Sequence, residues 1–261
     1  MYNFEFEKPS TVADAVAALA GEDAQALGGG QTLIPTLKQR LNQPSKLVSL
    51  TGVAGMSGVS AADGVLSVGG ATTHADVAAG AGAYPALAAL AGQIGDPAVR
   101  NRGTVGGSLA NNDPAACYPA GALGSGATIV TNTREIAADD YFQGMFSTAL
   151  EEGEIITEVR FPIPEAASYQ KFLQPASRFA LTGVFVAKFA DGVRVAVTGA
   201  SEDGVHRWAE AEAALSANFS ADAIADLSVS PDSMIQDLHG TKAYRAHLVK
   251  VMTQRAVNAA G

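Results

Sequence analysis

The strongest constraint on how this chain folds is a pair of glycine-rich runs, "GGGQT" at residues 28–32 and "NRGTVGGSLANND" at residues 101–113. Glycine has no side chain to bury, so such runs cannot be core; they let the backbone take positive φ and let another group come close. The first run follows "AQAL", short and apolar like a strand. It precedes "LIPTLKQRL", which places Leu33, Ile34, Leu37 and Leu41 at helical spacing with Pro35 in the first turn. A helix start presents unpaired N–H groups and the positive end of the helix dipole, so this loop is built to hold an anion. Gln31 and Thr32 add side-chain hydrogen-bonding groups. The Gly-Lys-Ser/Thr ending of a P-loop and the GxGxxG spacing of the dinucleotide fingerprint are both missing, which argues against Mg-nucleotide hydrolysis and against a Rossmann site. Taken alone, the run is explained equally well by a tight turn. The second run changes that balance by repeating the chemistry downstream: Gly103, Gly106 and Gly107 with the hydroxyls of Thr104 and Ser108. Two such loops suit the two ends of a pyrophosphate. Arg100 and Arg102 either join in binding phosphate or are solvated and paired with carboxylates. Asn111, Asn112 and Asp113 suit an Asx turn before Pro114.

Composition narrows the ligand. The chain has 261 residues, 48% of them hydrophobic, enough to bury a core, and a formal net charge of −9. That charge argues against a nucleic-acid partner, which calls for clustered Lys and Arg, but leaves a small anion held by backbone N–H groups open. The single cysteine, Cys117, rules out an internal disulfide and an iron–sulfur cluster or structural zinc site ligated by this chain alone. His74, His206, His239 and His247 are scattered, with no two at the spacing of a metalloprotease motif, so no metal site is expected. No apolar run reaches the length of a membrane span, and "MYNFEFEKPS" has neither the basic start nor the apolar stretch of a signal peptide. The expected location is the cytoplasm.

Three segments follow one another. The first reads helix, strand, loop, helix, strand: "STVADAVAALAG" has Thr11 and Asp14 as a capping box, apolar Val12, Val16 and Leu19, and Gly21 as a stop, and "KLVSL" is the closing strand. The second runs from about Thr51 to Pro164, contains the helical "PALAALAGQI", and ends in "GEIITEVRFPIP", whose prolines mark a boundary. In the third, "GVFVAKFADGVRVAVTGA" reads as a hairpin turning at Asp191 and Gly192. Two amphipathic helices are predicted to pack against it, one around Trp208 and one from Thr241 to Ala259 with Tyr244, Leu248, Met252 and Ala256 on one face.

With these residues in view, the sequence resembles the FAD-binding medium subunit of the molybdenum hydroxylases, the family of xanthine dehydrogenase and aerobic carbon monoxide dehydrogenase. Five markers occur in order over essentially the whole chain: "GGGQTLIPTLKQRL", "ATTHADV", "IGDPAVRNRGTVGGSLANNDPA", "GEIITEVRFP" and "YQKF". The resemblance implies an α+β protein with a two-subdomain, PCMH-type FAD-binding fold, residues 1–52 and 53–164, followed by a smaller C-terminal domain of sheet and helices, residues 165–261. Carried over by position, Gly28, Gly29, Gly30, Gln31 and Thr32, with Thr104, Val105, Gly106, Gly107 and Ser108, hold the FAD pyrophosphate, and Leu33 and Arg102 beside them belong to the cofactor-binding set. Ile94 lies near the flavin ring, Ile156 meets the adenine through its backbone, and Lys171 reaches toward the flavin side. Thr72, Thr73 and His74 line the site, with His74 orienting a loop rather than acting as acid or base. The implied partners are a large molybdopterin-binding subunit, where substrate is oxidised, and a small subunit with two [2Fe–2S] clusters, assembled twice over as a dimer of heterotrimers. The lone cysteine fits that division.

Two positions depart from the family pattern. Where relatives often carry an acid four positions after the Asp-Pro pair, to bind the cofactor's ribose, this chain has Cys117, leaving Asp113 as the substitute. An acid followed by an aromatic is replaced by Arg178 and Phe179; Phe179 keeps a ring to pack on the flavin, and Arg178 reverses the charge. Two other functions compete: a free-standing FAD-dependent oxidase or dehydrogenase, against which no base and substrate clamp appears in the C-terminal third, and an assembly module that has lost flavin. Neither the substrate of the complex nor its electron acceptor can be read from these motifs.

Overall fold

The computed structural model describes residues 1–260. The first segment comprises β1 (Glu5–Glu7), α1 (Val12–Leu19), β2 (Ala24–Leu27), α2 (Leu33–Lys38) and β3 (Lys46–Ser49). β3 is the centre of a three-stranded parallel sheet, with β1 and β2 on either side and Lys46 opposite both Glu5 and Ala24. The N-cap half of the expected capping box forms: the Thr11 hydroxyl accepts from the Asp14 N–H, while the Asp14 carboxylate accepts from that hydroxyl at 2.7 Å rather than from the Thr11 backbone N–H. The edge strand β1 was not anticipated. α2 also stops earlier than its apolar spacing suggested, leaving Leu41 73% exposed. The cause is a Schellman ending without glycine. Arg40 takes the left-handed conformation (φ +60°), its N–H donates to the Leu37 carbonyl, and the Leu41 N–H reaches back to that of Thr36.

The second segment contains β4 (Val59–Ala62), β5 (Val65–Gly69), α3 (His74–Gly80), α4 (Pro85–Gly92), α5 (Pro97–Arg100), α6 (Val105–Asn111) and α7 (Cys117–Ser125). There follow β6 (Thr128–Thr131), β7 (Glu135–Ala137), α8 (Ala138–Tyr141), β8 (Phe142–Gly144), β9 (Ser147–Thr148) and β10 (Ile156–Pro162). Asp63 and Gly64, both at positive φ, make the two-residue turn between β4 and β5. The late strand β10 returns to the middle of the sheet, between β5 and β6, so the chain's fourth marker lies beside the strand that leads into its second.

The third segment holds β11 (Ala166–Leu173), β12 (Ala180–Phe189), β13 (Gly192–Thr198), β14 (His206–Arg207), α9 (Ala209–Ala217), a 3₁₀ turn (Ala221–Ile224) and α10 (Lys242–Ala260). Its antiparallel sheet is buried on both faces, which is why β12 is nearly continuous in apolar residues. Val184, Val186, Val193, Val195 and Val197 pack under α9 and α10, as predicted for the two helices, whereas Tyr169, Phe185 and Ala196 join the core of α4 and α7. That core therefore runs through residue 164 without a break. The hairpin turns one residue earlier than predicted: Phe189 pairs with Gly192, Ala190 and Asp191 form the turn, and only Gly192 takes the positive φ. On α10, Leu248, Met252 and Ala256 face inward, but Tyr244 is 40% exposed and Arg245 is buried. The Arg245 guanidinium is accepted inside because it donates to the Leu181 and Gly199 carbonyls and to Asp237, each at 2.7 Å. No helix among the described residues is long and apolar enough to cross a membrane.

Candidate functional site

A cleft of about 660 Å³ opens where the β2–α2 loop of the first segment faces α6 of the second, with the C-terminal segment closing one end through Lys171, Ser177, Arg178 and Phe179. Every residue from Gly28 to Leu33 lines it. Among the described residues, the amide N–H groups of Gly28, Gly29, Gly30, Gln31, Thr32 and Leu33 donate to no protein acceptor, and Thr32, at the start of α2, makes no side-chain cap. A row of free backbone donors at a helix start suits an anion, and its position in a cleft leaves it open to one.

The second glycine loop is wired differently. The Val105 N–H donates to the Thr72 carbonyl, Gly106 to that of Gly70 at 2.8 Å, and Gly107 to the Thr104 hydroxyl at 3.1 Å. His74 donates its own N–H to the Gly103 carbonyl, so residues 72–74 and 103–105 form a short antiparallel bridge. The glycines permit close packing: a side chain on Gly29 would overlap the Arg102 carbonyl, and a Cβ on Gly106 would sit 2.6 Å from that of Gly70. Thr104, Gly106, Gly107 and Ser108 still line the cleft.

Four of the residues expected at the site do not line it. Thr72 exchanges hydrogen bonds with the Gly58 backbone, Thr73 caps α3 through Asp76, Val105 is core, and Arg102 is exposed with its carbonyl against Gly29. For Thr72, Thr73 and Val105 the reason is shared: the bridge between residues 72–74 and 103–105 turns these side chains to framework duty, whereas the Arg102 side chain points out to solvent. His74 does line the cleft. Burial holds its imidazole neutral, with the pKa down at about 4, and its Nδ1 is buried without a partner. Arg100 donates to the Ile94 and Gly95 carbonyls and so fixes the loop that brings Ile94 to the cleft.

The remaining expected residues converge. The Lys171 ammonium donates to the Gln93 carbonyl at 2.7 Å and to the Arg178 carbonyl at 3.0 Å, and lies 3.5 Å from the Cys117 sulfur. It thereby ties together the loop before Ile94, the start of α7 and the loop bearing Phe179. Asp113 forms the expected Asx turn, its carboxylate accepting from the Ala115 N–H at 2.9 Å, while burial raises its pKa. Ile156 lies where β10 crosses Gly70, so tightly that a side chain on Gly70 would overlap the Ile156 carbonyl.

Sequence reasoning missed two contributors. Glu154 accepts from Arg134 at 3.0 Å, from the hydroxyls of Thr131 and Thr133 and from the Glu151 N–H; the guanidinium foremost holds its pKa at about 2. This hub fixes the turn that delivers Ile155 and Ile156 to the cleft. The approach of Lys171 to Cys117 spans residues far apart in the chain, and no local pattern announces it.

The cleft fits a dinucleotide that carries a diphosphate: free amides on one wall, close-packed glycines opposite, and apolar Ile94, Ile155 and Phe179 beyond. Residues 2–164 match the family described as the FAD binding domain in molybdopterin dehydrogenase. The chain is similar to the carbon monoxide dehydrogenase medium chain of Hydrogenophaga pseudoflava, at 30% identity over 98% of this chain and 96% of that one. It is also similar to the nicotine 6-hydroxylase medium subunit of Paenarthrobacter nicotinovorans, at 33% identity over 98% and 96%. Among solved structures, reconstituted CO dehydrogenase from Oligotropha carboxidovorans superposes with a TM-score of 0.89 at 29% identity, covering 99% of this chain and 98% of that one. The chain belongs to the FAD-binding medium subunits of the molybdenum hydroxylases: an oxidoreductase subunit of PCMH-type fold whose cofactor is FAD.

Proposed function

We propose that this chain is the electron-transfer subunit of a heterotrimeric molybdenum hydroxylase. It receives electrons from the [2Fe–2S] clusters of a small partner subunit and passes them to an external acceptor, while a large molybdopterin-binding subunit oxidises the substrate; two such heterotrimers pair. The observation that carries the flavin site is the row of free amides from Gly28 to Leu33 on the wall of the cleft, and what favours the division of labour is the full-length similarity to medium subunits in a chain with one cysteine. Bound FAD supplies the ability to take up and release electrons one or two at a time, and the protein supplies position and potential.

Within that division, residues 1–52 and 53–164 are the two jaws of the clamp and residues 165–261 its backstop. The Gly28–Leu33 amides hold the pyrophosphate, with Gly107 and Ser108 closing over it. The Ile156 backbone meets the adenine, and the Asp113 carboxylate accepts from ribose hydroxyls. Ile94 and Phe179 cover the flavin ring, and Lys171 keeps their two loops at fixed separation. Arg178, a cation among the lining residues, favours the reduced, anionic state and so raises the potential. His74, held neutral by burial, orients the second loop.

The test is an absorption spectrum of the chain purified with its native partners, followed by identification of the cofactor released on denaturation. Stoichiometric FAD with iron–sulfur absorbance is expected. FAD on a chain that purifies alone and turns over its own substrate would replace the electron-transfer reading with a free-standing oxidase. No flavin, even after incubation with FAD, would overturn both.

A further inference from the structure

We propose that Thr198 is a positioning residue for the FAD cleft, acting from the C-terminal sheet through the loop 113–117. The inference rests on FAD binding in this cleft. Thr198 is the last residue of β13 and is fully buried. Its hydroxyl lies 2.9 Å from the Pro114 carbonyl and 2.8 Å from that of Ala116. The Gly199 N–H donates to the Pro114 carbonyl at 2.7 Å, and the Ala180 N–H to that of Ala115. Consecutive carbonyls of the loop are thus gripped by one end of the C-terminal sheet.

What the loop carries gives this grip its meaning. Asp113, Ala115, Ala116 and Cys117 all line the cleft. A hydroxyl buried in a largely apolar sheet carries a desolvation cost that only good partners offset, and here those partners lie outside its own sheet, on the cofactor wall. The anchor is itself braced: Arg245 of α10 donates to the Leu181 and Gly199 carbonyls, and Gly199 takes a positive φ that a side chain would resist. A segment with no cofactor-lining residue at Thr198 itself therefore sets the shape of the wall that faces the ribose.

The experiment uses the full chain carrying T198V, T198S or T253V, with two readouts. One is FAD affinity, by recovery of flavin fluorescence on dilution. The other is the rate at which Cys117, the only thiol, reacts with Ellman's reagent in FAD-free protein. T198V keeps the side-chain shape and deletes the donor, so FAD binding weakens about tenfold and the thiol rate rises about tenfold. T198S restores both. Thr253 is an equally buried hydroxyl that bonds only within α10, to the Val249 carbonyl, so T253V moves neither readout while still lowering the melting temperature. Should T198V not fold, T198A carries the same readouts. Wild-type values in T198V, or equal effects of T253V, overturn the proposal. A wild-type chain that binds no FAD overturns the reading beneath it, and the thiol rate then still reports whether Thr198 anchors the loop.

Discussion

The two glycine loops have almost the same composition and opposite wiring. The first, Gly28–Leu33, leaves its amides free toward the cleft. The second gives the N–H groups of Val105, Gly106 and Gly107 to Thr72, Gly70 and Thr104, and uses its glycines to press backbone on backbone. Glycine richness alone therefore does not mark a phosphate cradle. What distinguishes the two is where their donors go: Thr72 and Gly70, distant in sequence, supply acceptors for Val105 and Gly106, Thr104 supplies that of Gly107, and no such acceptor serves the first loop.

This contrast has consequences of graded size. The largest is acid lability of the second loop. His74 supports it from beneath, and burial holds the folded-state pKa at about 4 against an ordinary 6.5. Between those values the unfolded chain binds a proton that the folded chain excludes, so stability is lost as pH falls from 6.5 toward 4, by up to roughly 3 kcal/mol. Urea titrations across that window should show the loss in wild type and a flattened profile in H74Q; parallel profiles would remove His74 from the account. Next is T32E, which places a carboxylate beside the free amides of α2. FAD affinity should drop about a hundredfold through like-charge repulsion, while the melting temperature stays level or rises, because an acid at a helix start is favourable and Thr32 is exposed and uncapped. A falling melting temperature with intact affinity would mean the first loop is structural.

In the second loop the pattern should reverse. G106A drives a Cβ against the Gly70 carbonyl and should cost about 2 kcal/mol of stability, a drop of roughly 4–8 °C in melting temperature, measurable by calorimetry on FAD-free protein. An unchanged melting temperature would show that the two backbones do not lock as described. The smallest effect is at the far end of the cleft. R178Q should lower the flavin midpoint potential by about 10–20 mV, the scale expected of an exposed cation in high dielectric. An unchanged potential would leave Arg178 without a redox role.

Much of this was readable in the chain because it depended on local chemistry. The Thr11 cap, the strand–glycine–helix junction and the paired valines of the hairpin each rest on neighbours within a few residues. The misses have equally physical causes. α2 ended at a Schellman turn supplied by Arg40, a residue no composition rule would choose for positive φ. Tyr244 was expected on the inward face of the last helix, but its neighbour Arg245 is buried instead, because three acceptors converge on it from other elements. Thr72, Thr73 and Val105 sit among motif residues yet serve the bridge behind the cleft, and Lys171 meets Cys117 only after the C-terminal sheet has docked on α7. At the candidate site, residue types pointed to residues that mostly line one cleft, and long-range hydrogen bonds decided which of them face into it.

The most direct test of the account is an FAD titration of the isotopically labelled full chain, following backbone amide resonances of both loops. Large shifts are expected for Gly28 to Leu33, whose N–H groups acquire an acceptor, with Val105 and Gly106 nearly unmoved because theirs are already taken. Large shifts at Val105 and Gly106 with Gly28 to Leu33 unaffected would contradict it and make the second loop the cradle.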